Sequence, residues 1–166
     1  MSLEIEVIIE DRRWLDDLDP EQLVARFVDQ IGHHKKISVP NNVEASVLFC
    51  SDNRIQELNQ KWMQKNAPTN VLSFPAAEFQ KFCDQKYLGD IAISFETVVS
   101  EARNEGKSVY QHAAHMLVHG FLHLLGFDHQ SEDQAALMEG HESEILIGIG
   151  IEDPWAQCNV KDFADD

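Results

Sequence analysis

The chain has 166 residues, 43% hydrophobic and 25% charged, which fits one globular domain able to bury roughly 70% of its unfolded surface. A mean hydropathy of -0.31 and the lack of a long uncharged apolar run exclude a membrane span, and no basic-then-apolar opening suggests a secretory leader. Thirteen Lys and Arg against 29 Asp and Glu give a net charge of -16, which argues against nucleic-acid binding over the whole surface. Residues 111–166 hold one basic and 11 acidic side chains, so any basic patch must come from the first two-thirds. In chain order, Leu3 to Ile9 (LEIEVII) alternates and then runs apolar, which predicts a strand. Asp19-Pro20 reads as a helix start, with Leu23, Phe27 and Ile31 on one stripe and Gly32 as the stop. Val43 to Cys50 predicts a second strand, and Ser51 or Asp52 caps a helix carrying Ile55, Leu58 and Trp62.

Val71-Leu72-Ser73-Phe74-Pro75 follows as a short extended segment, and residues 76–87 read as a loop. Leu88 to Ile93 predicts another strand. Ser94 and Ser108 each cap a helix, the first ended by Gly106 and the second by Gly126. A last helix occupies about residues 133–149, with Leu137, Ile145 and Ile147 among its apolar positions. The elements mix without strict alternation. The fold class is therefore α+β: a small mixed sheet of about four strands packed with about five helices in one domain. Residues 1–158 form the domain and 159–166 a polar, frayed tail. Cys50, Cys83 and Cys158 are odd in number and widely spaced, which suits a reducing cytoplasm rather than a disulfide framework.

Six of the eight histidines fall between residues 112 and 141. At their centre is VHGFLHLLGFDHQ, the pattern H-x-x-x-H-x-x-G-x-x-H on His119, His123, Gly126 and His129. His119 and His123 lie one helical turn apart, so their imidazoles can converge on one ion. Gly126 permits the left-handed turn that brings His129 back to the same point. Three neutral imidazoles leave a tetrahedral metal one open position, the arrangement of a catalytic site. His115 shares the stripe as an outer partner, a groove residue or a core histidine; His112 reads as structural. Asp128 either orients an imidazole or caps the turn. Gly120 costs a helix about 1 kcal/mol, which suggests close approach of a strand or of substrate. It also stands where an H-E-x-x-H peptidase carries its general base. Met138 reads as core, His33 and His34 as solvated, and His141 as surface.

HGFLHLLGFDH closely resembles the signature of the YbeY family of metal-dependent endoribonucleases. NAPTNVLSFP and LGDIAIS are similar to two further family segments, as is the stretch from Met138-Glu139 to Pro154. The resemblance covers about residues 45–155. It implies a zinc ion (nickel being an alternative) on His119, His123 and His129, single-stranded RNA or ribosomal RNA as substrate, and the small ribosomal subunit as partner. It further implies work in ribosomal RNA maturation and ribosome quality control, in the cytoplasm, with neither membrane nor DNA involved. One position departs from the family pattern: Met63 follows Trp62 where an arginine is usual, and a thioether cannot bind phosphate. Lys61, Lys65 and, further off, Arg54 are the cations available instead, with Lys81, Lys86, Arg103 and Lys107 as outer candidates for an RNA cleft. The catalytic candidates are thus Lys61, Lys65, His115 and Asp128. Two other functions fit the residues: a zinc peptidase or amidohydrolase, and a non-catalytic, metal-stabilised ribosome assembly factor.

Overall fold

Four extended segments pair into one mixed sheet: β1 (Leu3–Ile9), β2 (Val43–Cys50), β3 (Val71–Pro75) and β4 (Lys86–Ser94), in the order β1-β2-β4-β3. β1 and β4 run parallel to β2, and β3 pairs antiparallel to β4 at the edge. The structure, a computed structural model, describes residues 2–76 and 86–155, with Lys86 as backbone only. Lys81, Cys83, Cys158 and the tail at 159–166 lie outside the described residues. Six helices accompany the sheet among the described residues: α1 (Trp14–Asp17), α2 (Pro20–His33), α3 (Asp52–Met63), α4 (Phe95–Glu105), α5 (Val109–Leu124) and α6 (Glu132–Gly148). The α+β class therefore holds, with one short helix more than expected. No helix among the described residues is long and apolar enough to cross a membrane.

β2 is buried on both faces, as its run VEASVLFC demands of a central strand. Its Ala45, Val47 and Phe49, with Ile91 and Ile93 of β4, belong to the main core together with α2, α5 and α6. The opposite face carries Cys50 and Ala92, which pack with Ile55 and Leu58 of α3. The sheet thus separates α3 from α5. α5 is the central helix, with eleven of its sixteen residues buried, and Ser108 and Gln111 close a capping box at its start.

Several expectations change. α2 runs past Gly32 to His33, where the His34 N–H bonds back to Ile31 O. Ser94 precedes α4 but its hydroxyl donates to Asp52 instead of capping. β4 begins at Lys86, inside the expected loop. α6 presents Met138, His141, Glu142, Ile145 and Leu146 to the core, while Leu137 and Ile147 are exposed. Met138 and Ile145 are buried as expected, and a histidine and a glutamate share that inward face, so apolar spacing alone shows only part of it.

Candidate metal centre

α5 carries His115, His119 and His123 along one side, and the chain reverses at Gly126, whose φ is +100°. The reversal brings His129 back over the end of the helix. Ring centroids of His119 and His123 lie 4.6 Å apart, those of His123 and His129 5.1 Å, and those of His119 and His129 5.7 Å. One nitrogen from each of the three lies within 4.8 Å of the other two.

The hydrogen bonds select the nitrogens. His119 Nδ1–H donates to Glu142 Oε1 at 2.6 Å, which leaves Nε2 with a lone pair. That Nε2 faces His123 Nε2 at 3.1 Å. Two ligands of a tetrahedral zinc stand about 3.3 Å apart, so this pair is spaced for an ion between them. Burial, then the neighbouring His119 and His129, hold the His123 pKa below its ordinary value, which keeps it neutral and able to ligate. The donor set fits a borderline divalent cation.

Glu142 was not singled out in the sequence. It is 1% exposed and accepts from two histidines, His119 on Oε1 and His115 Nε2–H on Oε2 at 2.9 Å. Burial pushes its carboxyl up, but the two imidazole bonds outweigh that and leave its pKa at about 2. The signal available was its place in α6, four residues after the buried Met138 and three before Ile145. It is one of five acidic residues between 132 and 144, so composition alone does not distinguish it from its neighbours. The surface assignment of His141 is also corrected: it is 7% exposed and packs against Phe127 and His34. His34 is likewise not solvated, since its side chain is 6% exposed and bonds Glu144, whereas His33 is exposed.

Two recesses meet at the histidines. One, about 410 Å³, is lined by Asn70, Met116, His119, His129, Glu139 and Trp155, among others. The other, about 480 Å³, is lined by Val71, Ser73, His119, His123, Asp128 and His129, among others. Asn70 borders both. Its Nδ2 donates to Glu101 Oε1 at 3.0 Å, and the same oxygen accepts from His112 Nε2 at 2.9 Å. His112 is therefore a buried structural residue that anchors this edge of the site.

The remaining candidates divide. Asp128 sits beside the cluster, where its carboxylate accepts the His129 backbone N–H at 2.8 Å and fixes the turn. His115 joins the site through Glu142. Lys61 and Lys65 are exposed on or just beyond α3, across the sheet, and line neither recess. They stand near a groove of about 1090 Å³ lined by Arg54, Trp62, Met63, Phe74 and Asp90, among others. This groove and the second recess share Ser73 and Pro75 of edge strand β3.

A mixed sheet, a buried helix of histidines and a solvent-facing imidazole cluster define an α+β domain equipped to hold a metal ion at an open site. Comparison with known proteins narrows this class. The chain belongs to the YbeY family, whose model, described as Endoribonuclease YbeY, matches residues 8–150. The Endoribonuclease YbeY of Azorhizobium caulinodans is 43% identical over 154 residues, covering 93% of this chain and 97% of that protein. That of Bartonella quintana is 42% identical over 158 residues, covering 93% and 98%. The solution structure of TM1509 from Thermotoga maritima shares the fold, with a TM-score of 0.55 at 22% identity over 95% of this chain and 93% of that one.

Proposed function

We propose that the chain is a metal-dependent endoribonuclease that cuts single-stranded RNA in ribosomal RNA maturation and quality control, working with the small ribosomal subunit in the cytoplasm. Zinc is the metal, held by His119, His123 and His129, with nickel as the alternative. The observation that carries this reading is the convergence of the three imidazoles where two recesses meet. Family membership supplies the activity.

A zinc-class ion, when bound, would polarise a phosphoryl oxygen or acidify a water. The chain's own residues supply the rest. Glu142 fixes the His119 tautomer and holds His115 behind it. Asp128 fixes the turn that presents His129. Asn70 offers an amide at the edge of both recesses, and Glu139 brings a carboxylate into one of them. A single strand leaving the histidines over the edge strand β3 enters the groove with Trp62, where a base can stack and Lys61 and Lys65 attract phosphate.

Gly120 weighs against the peptidase reading. A Cβ there would lie 3.0 Å from Ile91 Cγ2 and 3.2 Å from Ser73 Oγ, so the position meets strands and has no room for a glutamate base. The test is metal analysis of purified protein with cleavage of an unstructured RNA. Wild type should cut, His119→Ala should lose both metal and cleavage, and Met63→Arg should cut faster. Equal cleavage by all three proteins would rule the reading out.

A further inference from the structure

Away from the α5 cluster, a second set of donors converges where the end of α2 meets α6. His34 follows the last residue of α2, and His141 and Glu144 lie three residues apart on one side of α6. One nitrogen of each imidazole and a Glu144 oxygen all lie within 4.8 Å of one another. Both histidines are nearly enclosed, at 6% side-chain exposure for His34 and 7% residue exposure for His141, while Glu144 opens to solvent. The two ring centroids are 5.7 Å apart, the same separation as His119 and His129 in the first cluster.

We propose that His34, His141 and Glu144 form a second metal site, which takes a borderline divalent cation of the zinc class. Two imidazoles and one carboxylate are donors that zinc, cobalt(II) and nickel accept. His34 Nε2–H donates to Glu144 Oε2 at 2.9 Å, so two of the three donor groups already meet. Lys36 holds Glu144 now. Its Nζ donates to Glu144 Oε1 at 3.0 Å, and its backbone N–H reaches His34 Nδ1 at 3.2 Å.

Cation binding therefore exchanges one set of partners for another. The ring proton of His34 moves from Nε2 to Nδ1, the long contact from the Lys36 N–H is given up, and the exposed Lys36 ammonium swings into water. Glu144 then turns its carboxylate onto the ion. The exposed side of the site lets the ion in and leaves water to complete its coordination. Phe127 packs its ring on His141 with centroids 5.0 Å apart. It belongs to the segment between Gly126 and His129, so the two clusters share one turn.

The test uses the full chain, stripped with chelator, loaded with Zn²⁺ alone, desalted, and analysed for zinc per chain. Wild type should hold two ions. His141→Gln and Glu144→Gln should each hold one. Glu144→Gln alters a half-exposed side chain, and circular dichroism confirms that both variants fold. His123→Ala reports on the first site separately: it should lose one ion, and His123→Ala with His141→Gln should lose both. A wild type that saturates at one ion, or a second ion retained by either single variant at the α6 cluster, would overturn the proposal whatever happens at His123.

Discussion

Glu142 ties together two of the histidines along α5, His115 and His119. Its two oxygens serve two imidazoles, so it sets the tautomer of His119 and the place of His115 together. A glutamine has one carbonyl oxygen and cannot accept both N–H groups. Glu142→Gln should therefore weaken zinc binding at the first site by about 10- to 100-fold, read by competition with a chromogenic chelator. Unchanged affinity would mean that His119 is oriented by packing alone. The three imidazoles were legible from spacing and one glycine, because a helical turn fixes which side chains meet. Their carboxylate was not, because its burial comes from how α6 docks and not from its neighbours in sequence. His34 and His141 were misjudged for the same reason: each lies in a polar stretch, and contact between two distant elements encloses both.

Elements pack here through small residues at crossing points. α5 crosses β3 and β4 at Gly120, where a Cβ would also come within 3.2 Å of Val71 Cγ2. Alanine gains roughly 1 kcal/mol of helix propensity over glycine, but overpacking against β-branched side chains in strands costs roughly 1–3 kcal/mol. Gly120→Ala should thus be destabilising by about 1 kcal/mol in urea titration, and a more stable variant would show that the strands yield freely. The helix stripes and strands were readable where one face was apolar, as in α2, whose Leu23, Phe27 and Ile31 are all buried. α1 escaped because four residues show no period, although its Trp14 is wholly enclosed and bonds Cys50 O at 3.1 Å. That bond ties the helix to the end of β2, and Phe49 and Phe95 pack edge-on to the same indole.

At the scale of the whole molecule, stability must fall in alkali. Burial pushes the Cys50 thiol from 9.0 to about 12. The unfolded thiol ionises first, so the contribution of this group is complete below pH 9 and is lost as pH rises toward 12. Burial likewise raises the Tyr87 hydroxyl to about 12. Urea unfolding followed between pH 8 and 11.5 should show the decline. Cys50→Ala, less stable at neutral pH through its small cavity, should decline less steeply. Parallel curves would assign the alkaline loss to other groups.

Charge sets the other global constraint. With a net charge of -16, the molecule repels RNA on average, and an RNA strand must find a local exception. Arg54 is held by Glu10 and Glu57, Arg13 by Asp11 and Glu96, and Lys107 by Glu105. Lys61, whose ammonium lies 5.1 Å from the centre of the Trp62 ring, and Lys65 have no carboxylate partner among the described residues. They lie one and two residues in sequence from Trp62 and Met63, respectively, which line the groove that meets the histidine recess at β3, and the proposed RNA path makes them candidates to release counterions from a bound strand. Each phosphate contact on single-stranded nucleic acid contributes roughly 0.7 to the slope of log affinity against log salt. Replacing both lysines by glutamine should therefore flatten that slope by roughly 1.4, measured by fluorescence anisotropy of a labelled RNA across a potassium chloride series. The histidines and their hydrogen bonds stay untouched in this variant, so zinc content should not change. An unchanged slope would move the RNA path off the α3 side of the sheet and confine it to the recesses around His119 and His129.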